Sequence, residues 1–413
     1  MNAPQDRLAI LDAHMMTTYA RSPVVFVRGS GCTLWDDQGN PYLDLVAGIA
    51  TCSLGHAHPV IVEALAEQSK RLIHLSNLYY SEPQAALAAW LTAHSAGDRA
   101  FFCNSGAEAN EGALKLVRKY SHRIDGHKTP MVITAEQSFH GRTLATVTAT
   151  GQTKYQQGFD PLMPGFEHVS LNDCAALSER VAAIAASPSA RLAAIMLEPV
   201  QGEGGVTPAS KDFLSCARRL CDQHDALLVF DEIQCGMGRT GSLWAYEQLG
   251  VEPDIFTSAK GLGGGVPVAA LLAKEHCSIF GPGDHGSTFG GNPLACHVAL
   301  AVCQVIGSAQ FLTAVTERGN ELRAGLLDLC RQFPALYSGV RGKGLLLGVT
   351  IRDDVPVTSK EVVQAAFRER LLVIGAGPKV IRIVPPLIIS SMDIQDALAR
   401  LSAASAALSA TTT

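Results

Sequence analysis

Between residues 99 and 257 the chain carries short apolar runs with little polar alternation, and segments of helical pattern lie between them. The runs are Arg99-Ala-Phe-Phe-Cys-Asn104, Met131-Val-Ile-Thr134, Leu192-Ala-Ala-Ile-Met-Leu197, Ala226-Leu-Leu-Val-Phe230 and Asp254-Ile-Phe-Thr257. A strand covered on both faces reads this way, whereas a half-solvated strand alternates apolar and polar residues. Ala107 to Tyr120 repeats its apolar residues Ala109, Ala113, Leu114, Val117 and Tyr120 at helical spacing. Glu108 and Glu111 stand early in that segment and Lys115, Arg118 and Lys119 late, which complements a helix dipole. Phe213 to His224 reads as a second helix between two of the strands. The pattern predicts an α/β fold around a mainly parallel sheet.

Outside roughly residues 50–295 the pattern changes. Thr33 to Asp44 reads as a hairpin, Ala314 to Phe333 as a long helix, and Gly344–Thr350 and Val380–Val384 as strands. We expect a large domain over 50–295 and a smaller α+β domain built from 1–49 and 296–413, its Ala-Ser-Thr-rich tail fraying after Leu401. Only 17% of the residues are charged, against the ~25% of a typical globular chain, which hints at apolar surface hidden in a subunit interface. A net charge of −5 argues against nucleic acid or an anionic membrane as partner. The longest apolar run, Val266 to Ala273, is far shorter than the ~20 residues that cross a bilayer. Eleven scattered cysteines without a Cys-x-x-Cys pair read as reduced thiols, not as a disulfide frame or zinc site. The start of the chain lacks a basic stretch followed by an apolar one, so a cytoplasmic location is expected.

Chemistry-bearing residues stand where the predicted strands end. Lys260 closes Pro253-Asp-Ile-Phe-Thr-Ser-Ala-Lys260 and precedes Gly261-Leu-Gly-Gly-Gly-Val-Pro267. It reads either as a surface lysine or as an amine freed for nucleophilic work by desolvation or a neighbour. In Cys103-Asn-Ser-Gly-Ala-Glu-Ala-Asn110, Ser105, Gly106 and Ala107 open a helix, where backbone N–H groups bind phosphate. The simpler alternative there is that Asn104 or Ser105 only caps the helix. Asp231-Glu-Ile-Gln234 follows a strand at the rim where such sheets bind ligands. Its carboxylate can hold a proton on a ring nitrogen, or be no more than a solvated turn acid. Gly236-Met-Gly-Arg-Thr-Gly241 matches a dinucleotide fingerprint, but no helix opens at Gly241 and the segment reads as a loop. In Ser138-Phe-His-Gly-Arg-Thr143, Phe139 can cover a flat ring and Arg142 can clamp a carboxylate. His140, His56 and His58 read as structural, and no metal ligand set is expected.

A phosphate cradle, an aromatic cover, an acid and a lysine, in that order, are the equipment for pyridoxal 5′-phosphate. With them the chain resembles the class III pyridoxal-phosphate aminotransferases of fold type I, and among these the acetylornithine aminotransferases. The likeness runs from Gly31-Cys-Thr-Leu-Trp-Asp36 to Ile381-Arg-Ile-Val-Pro-Pro386 and includes Leu54-Gly-His-Ala-His-Pro59, Ser76-Asn-Leu-Tyr-Tyr-Ser-Glu-Pro83, Glu198-Pro-Val-Gln-Gly-Glu-Gly-Gly205 and Thr288-Phe-Gly-Gly-Asn-Pro293.

The resemblance implies that Lys260 binds the cofactor as an imine and that Asp231 pairs with its pyridine nitrogen. It places Ile233 and Phe139 on the two ring faces and Gln234 near the phenolic oxygen. Ser105, Gly106 and Ala107 are implied to hold the phosphate with Thr288 of the neighbouring subunit, which makes the site a homodimer product. Arg142 and Ser287 are implied to contact the substrate. Glu203 and Arg382 match the family's switch between an N-acetylornithine-like donor and 2-oxoglutarate. Ile233 and Cys235 depart from the commoner valine and threonine. Succinylornithine, ornithine and 4-aminobutyrate aminotransferases, and an aminomutase, are the rival readings.

Overall fold

The computed structural model describes residues 4–412. Its centre is a sheet of seven strands, numbered here in chain order: β1 (Arg99–Cys103), β2 (Thr129–Ala135), β3 (Phe166–Val169), β4 (Ala190–Leu197), β5 (Leu227–Asp231), β6 (Ile255–Ser258) and β7 (Ala269–Ala273). The spatial order is β1-β7-β6-β5-β4-β2-β3. The β4–β5, β5–β6, β2–β4 and β2–β3 pairs are parallel, and only β7 runs against its neighbours. Every predicted strand of this region is present. Two further ones complete the sheet: β3, and β7 from the second half of the apolar run Val266–Ala273.

Burial explains the continuous apolar runs. Along β5, Leu227 and Val229 point to one face, where they meet Ala113, Leu114 and Val117 of helix α1 (Gly106–Ile124). Leu228 and Phe230 point to the other, onto Phe213, Leu214 and Ala217 of helix α2 (Lys211–Gln223). The two-residue strand period thus serves two cores at once. Each fully buried large apolar side chain contributes about 1.5–3 kcal/mol.

The same topology gathers the motifs. In a parallel sheet the C-terminal ends of strands share one rim, so Asp231 at the end of β5 lies beside the end of β6, with Asp231 opposite Thr257 in the register. Because β7 is antiparallel, its first residue Ala269 stands opposite Cys103, the last of β1. The turns after β1, β5 and β6 therefore open on one rim.

The chain ends form two smaller sheets. The predicted hairpin is Thr33–Asp36 with Pro41–Asp44, antiparallel, flanked by Phe26–Ser30. Leu371–Leu372 joins it in parallel, Leu371 opposite Leu43. The other sheet holds Tyr337–Lys343, Leu346–Ile351, Val380–Ile383 and Ile374–Gly375. The tail differs from expectation. The last helix spans Ser391–Thr412, and beyond Leu401 it still buries Ala404 and Ser405. Ser405 Oγ lies 2.8 Å from Tyr337 Oη, so a packed contact replaces the predicted fraying at that depth.

Candidate active site

A cavity of about 390 Å³ opens at the sheet rim. Of the residues singled out from sequence, Ser105, Gly106, Ala107, Phe139, Arg142, Asp231, Ile233, Gln234 and Lys260 all line it. Lys260 begins a short 3-10 turn directly after β6, with a positive φ of 42°. Left-handed backbone is costly for a residue with a side chain, and such conformations gather at functional positions. Burial pulls its ammonium below the ordinary lysine range; the charge of Glu203 opposes this and that of Arg382 adds to it. A lysine so placed keeps a larger neutral, nucleophilic fraction.

Asp231 is buried and fully engaged. Its Oδ2 accepts from Asn110 Nδ2 at 2.8 Å and lies 2.9 Å from His140 Nδ1, and its Oδ1 accepts from Ile233 N at 3.1 Å. Asn110 Nδ2 also donates to the His140 carbonyl at 2.7 Å, and its Oδ1 accepts from Thr257 Oγ1 at 2.7 Å. The carboxylate is thus aimed from a rigid frame of α1, β5 and β6, as a fixed charge in a dry site must be. Glu198 lines the same cavity, its Oε2 accepting from Phe139 N at 3.0 Å. Burial first, and then the charge of Asp231, push its carboxyl well above the ordinary range.

Ser105 is the N-cap of α1, accepting from Glu108 N at 3.3 Å, so the capping reading holds for its hydroxyl. The N–H groups of Gly106 and Ala107, in the first turn, have no intrahelical acceptor to use. Gly106 is needed for close approach, because a Cβ there would stand 2.7 Å from Ile233 Cδ1. Arg142 is exposed and its guanidinium lies over the Tyr155 ring, 4.1 Å from the centroid, with Tyr155 edge-on to Phe139 at 5.6 Å.

Glu203 and Arg382 adjoin the cavity. Arg382 is fully buried; its Nη1 donates to Glu203 Oε1 at 2.5 Å and to Gln234 Oε1 at 2.9 Å. Its Nε and Nη2 lack a partner among the described residues. Burial pushes the Glu203 carboxyl up, but the charge and hydrogen bond of Arg382 overcome this and hold it below the ordinary range.

Two predicted residues stand apart. Ser287 lines a neighbouring cavity, where its Oγ accepts from Asn104 Nδ2 at 3.2 Å, and Thr288 is exposed. Neither lines the main cavity. The decoy Gly236–Gly241 is a turn, with Met237, Gly238 and Gly241 at positive φ.

Sequence reasoning missed Asn110, Tyr155 and Glu198 as site residues and took His140 only as structural. Asn110 carried a signal: it stands on the apolar stripe of α1, four residues before Leu114, where a polar side chain needs a buried partner. The residues present fit a phosphorylated pyridine aldehyde. They offer free N–H groups at a helix start, a framed carboxylate, an amide, apolar surfaces and a desolvated lysine.

Comparison with known proteins agrees. Residues 15–405 match the family model "Aminotransferase class-III". The acetylornithine aminotransferase of Thermosynechococcus vestitus is 57% identical over 97% of both chains. That of Nostoc sp. is 54% identical over 97% of this chain and 93% of its own. Among solved structures, the N-acetylornithine aminotransferase of Stenotrophomonas maltophilia is 40% identical with a TM-score of 0.83, covering 98% of this chain and 100% of its own. The ornithine aminotransferase of Toxoplasma gondii is 32% identical with a TM-score of 0.93, covering 100% and 97%. The chain therefore belongs to the class III aminotransferases, enzymes that work with pyridoxal 5′-phosphate.

Proposed function

We propose that this enzyme moves the terminal amino group of N2-acetyl-L-ornithine to 2-oxoglutarate, giving N-acetylglutamate semialdehyde and glutamate in arginine biosynthesis. The observation that carries the reading is Arg382, a buried guanidinium neutralised by Glu203 yet with two nitrogens unpartnered among the described residues. One pocket must seat two unlike substrates. Paired with Glu203, Arg382 offers no net charge to a donor that brings only an amine to that point. Released by movement of Glu203, which is 20% exposed on its side chain, it becomes the seat of the α-carboxylate of 2-oxoglutarate or glutamate.

Pyridoxal 5′-phosphate, when bound, supplies an electron sink for the carbon that loses its proton. Lys260 would hold it through its amine and would serve as the base that takes the proton from the substrate carbon, a task suited to an amine whose burial favours the neutral form. Asp231 would face the ring nitrogen and favour its protonated form. Gly106 and Ala107 N–H, with the Ser105 hydroxyl, would hold the phosphate. Ile233 and Phe139 would cover the ring faces and Gln234 would reach the phenolic oxygen. Arg142, with Ser287, takes the distal carboxylate of either substrate, steadied on Tyr155.

The reading includes a cytoplasmic homodimer in which Thr288, exposed here, reaches the neighbouring subunit's phosphate. Exposed Leu78, Tyr79, Tyr80 and Phe289 support a partner on that side. It also keeps the division into residues 50–295 and a smaller unit of 1–49 with 296–413, which the Leu43–Leu371 pairing supports. Higher similarity of backbone to the Toxoplasma ornithine enzyme does not speak for its donor, because superposition does not read pocket side chains. Single-turnover assays test the reaction class. N-acetylornithine alone should yield one aldehyde per active site, with further turnover only when 2-oxoglutarate is added. Sustained turnover without a 2-oxo acid identifies an aminomutase instead.

A further inference from the structure

Gln234 is tied to Arg382 across a sequence separation of 148 residues. It stands in the turn that follows β5 and is 6% exposed. Arginine has donors and no acceptor, so the amide can meet it only with its oxygen, and Arg382 Nη1 donates to Gln234 Oε1 at 2.9 Å. Gln234 also lines the main cavity, and with its oxygen engaged the amide has N–H groups to offer an oxygen placed there. Gly202 closes another side of the amide: a Cβ there would stand 2.0 Å from Oε1, 2.1 Å from Cδ and 2.4 Å from Nε2. That wall is itself fixed, since Gln201 Nε2 donates to Glu136 O at 2.9 Å and Val200–Gln201 pairs with Thr207–Pro208.

The two acceptors of Arg382 Nη1 thus differ in freedom. Glu203 is 20% exposed on its side chain, whereas the Gln234 amide is enclosed between Gly202 and the guanidinium. The remaining donors, Nε and Nη2, form one edge of the guanidinium and have no partner among the described residues. Two parallel donors on one edge match the two oxygens of a carboxylate. They do so best when the guanidinium is already held still, because an arginine side chain has much rotamer entropy to lose.

We propose that Gln234 is the positioning residue of the Glu203–Arg382 pair: Glu203 is the arm that leaves and Gln234 the arm that stays. With Glu203 turned away, Nη1 keeps its bond to the Gln234 oxygen, and the edge of Nε and Nη2 stays set for the α-carboxylate of 2-oxoglutarate or glutamate. The amide is neutral, so it anchors Arg382 without cancelling its charge, which a carboxylate at this position would do. Arg382 in return keeps the amide from rotating. The inference rests on the reading of Arg382 as the seat of that carboxylate.

The test titrates glutarate, a dicarboxylate with neither amine nor keto group, into the holoenzyme by calorimetry. Arg382→Lys, the control, should weaken its binding. Gln234→Leu removes a hydrogen bond to a buried charge and should raise the glutarate Kd at least ~10-fold. Gln234→Glu keeps the shape of the side chain but neutralises Arg382 permanently, so it carries the test should Gln234→Leu fail to fold. In separate half-reactions it should raise the ratio of KM for 2-oxoglutarate to KM for the acylated donor at least ~10-fold, the opposite direction from Glu203→Gln. A residue that only packs would move both KM values alike. Wild-type glutarate affinity in Gln234→Leu with Arg382→Lys weakened, or equal KM changes in Gln234→Glu, would overturn the inference and leave the reading of Arg382 standing. Wild-type affinity in Arg382→Lys would overturn both.

Discussion

Arg382 Nη1 donates to Glu203 Oε1 at 2.5 Å across a sequence separation of 179 residues, with the arginine wholly buried and the glutamate partly exposed. Breaking such a pair from one side leaves a buried charge uncompensated, which costs about 3–5 kcal/mol. Glu203→Gln keeps a hydrogen-bond acceptor but removes the charge. In separate half-reactions it should lower KM for glutamate and 2-oxoglutarate and raise KM for the acylated donor. Equal changes in both halves would show that Glu203 merely packs there.

Asp231→Asn should keep the hydrogen bond to the Ile233 amide yet lose the fixed charge. By analogy with other lost electrostatic stabilisers, worth ~2.7–4 kcal/mol, kcat should fall by about 10²–10³. Cofactor affinity, measured by dialysis and absorbance, should change far less. Near-normal turnover would make Asp231 only a turn acid.

Gly106→Ala tests the close approach of α1 to Ile233. Its Cβ meets Cδ1 at 2.7 Å and Cγ2 at 3.0 Å, and overpacking of this kind costs about 1–3 kcal/mol. Ile233→Val deletes Cδ1, so the double variant should recover part of the lost cofactor affinity and stability. Strict additivity in the double-mutant cycle would place the two residues out of contact.

His56 gives a pH signature. Its Nε2 lies 2.7 Å from Asp44 Oδ2, and that hydrogen bond first of all pushes the imidazole up to about 9, above the unfolded value. The stabilisation is therefore full below about pH 6.5 and lost as pH rises through about 9, and amounts to ~3 kcal/mol at most. Urea unfolding of wild type and His56→Gln should converge over that window. A constant gap across it would contradict the assignment.

How far the sequence alone reveals the site depends on how local each signal is. Lys260, Asp231 and Ser105 were legible because each follows an apolar strand run, and parallel strands bring their ends to one rim. The clamp on Asp231 was not, since Asn110 and His140 reach it from 121 and 91 residues away and only the packing of α1 on the sheet unites them. Strand β7 escaped for a related reason. Its run of alanine and leucine follows the turn Gly263-Gly-Gly-Val-Pro267 but is too short for apolar character alone to tell strand from buried helix, and its antiparallel direction is set by β1 and β6. The tail looked unanchored because Ser405 finds Tyr337 only in the folded chain.

The central claim is the identity of the donor, and it rests on charge. N-acetylornithine has an α-carboxylate but no α-ammonium, so Arg142 meets no second cation, whereas ornithine brings one. Among the described residues lining the main cavity the acids are Asp231, framed toward the ring nitrogen, and Glu198, whose buried carboxyl favours the neutral form. Neither is a free partner for that ammonium. The direct measurement is kcat/KM for N-acetylornithine and for ornithine with 2-oxoglutarate as acceptor. The account predicts a preference for the acylated donor of at least ~10-fold, about 1.4 kcal/mol. Equal or higher kcat/KM with ornithine would contradict it.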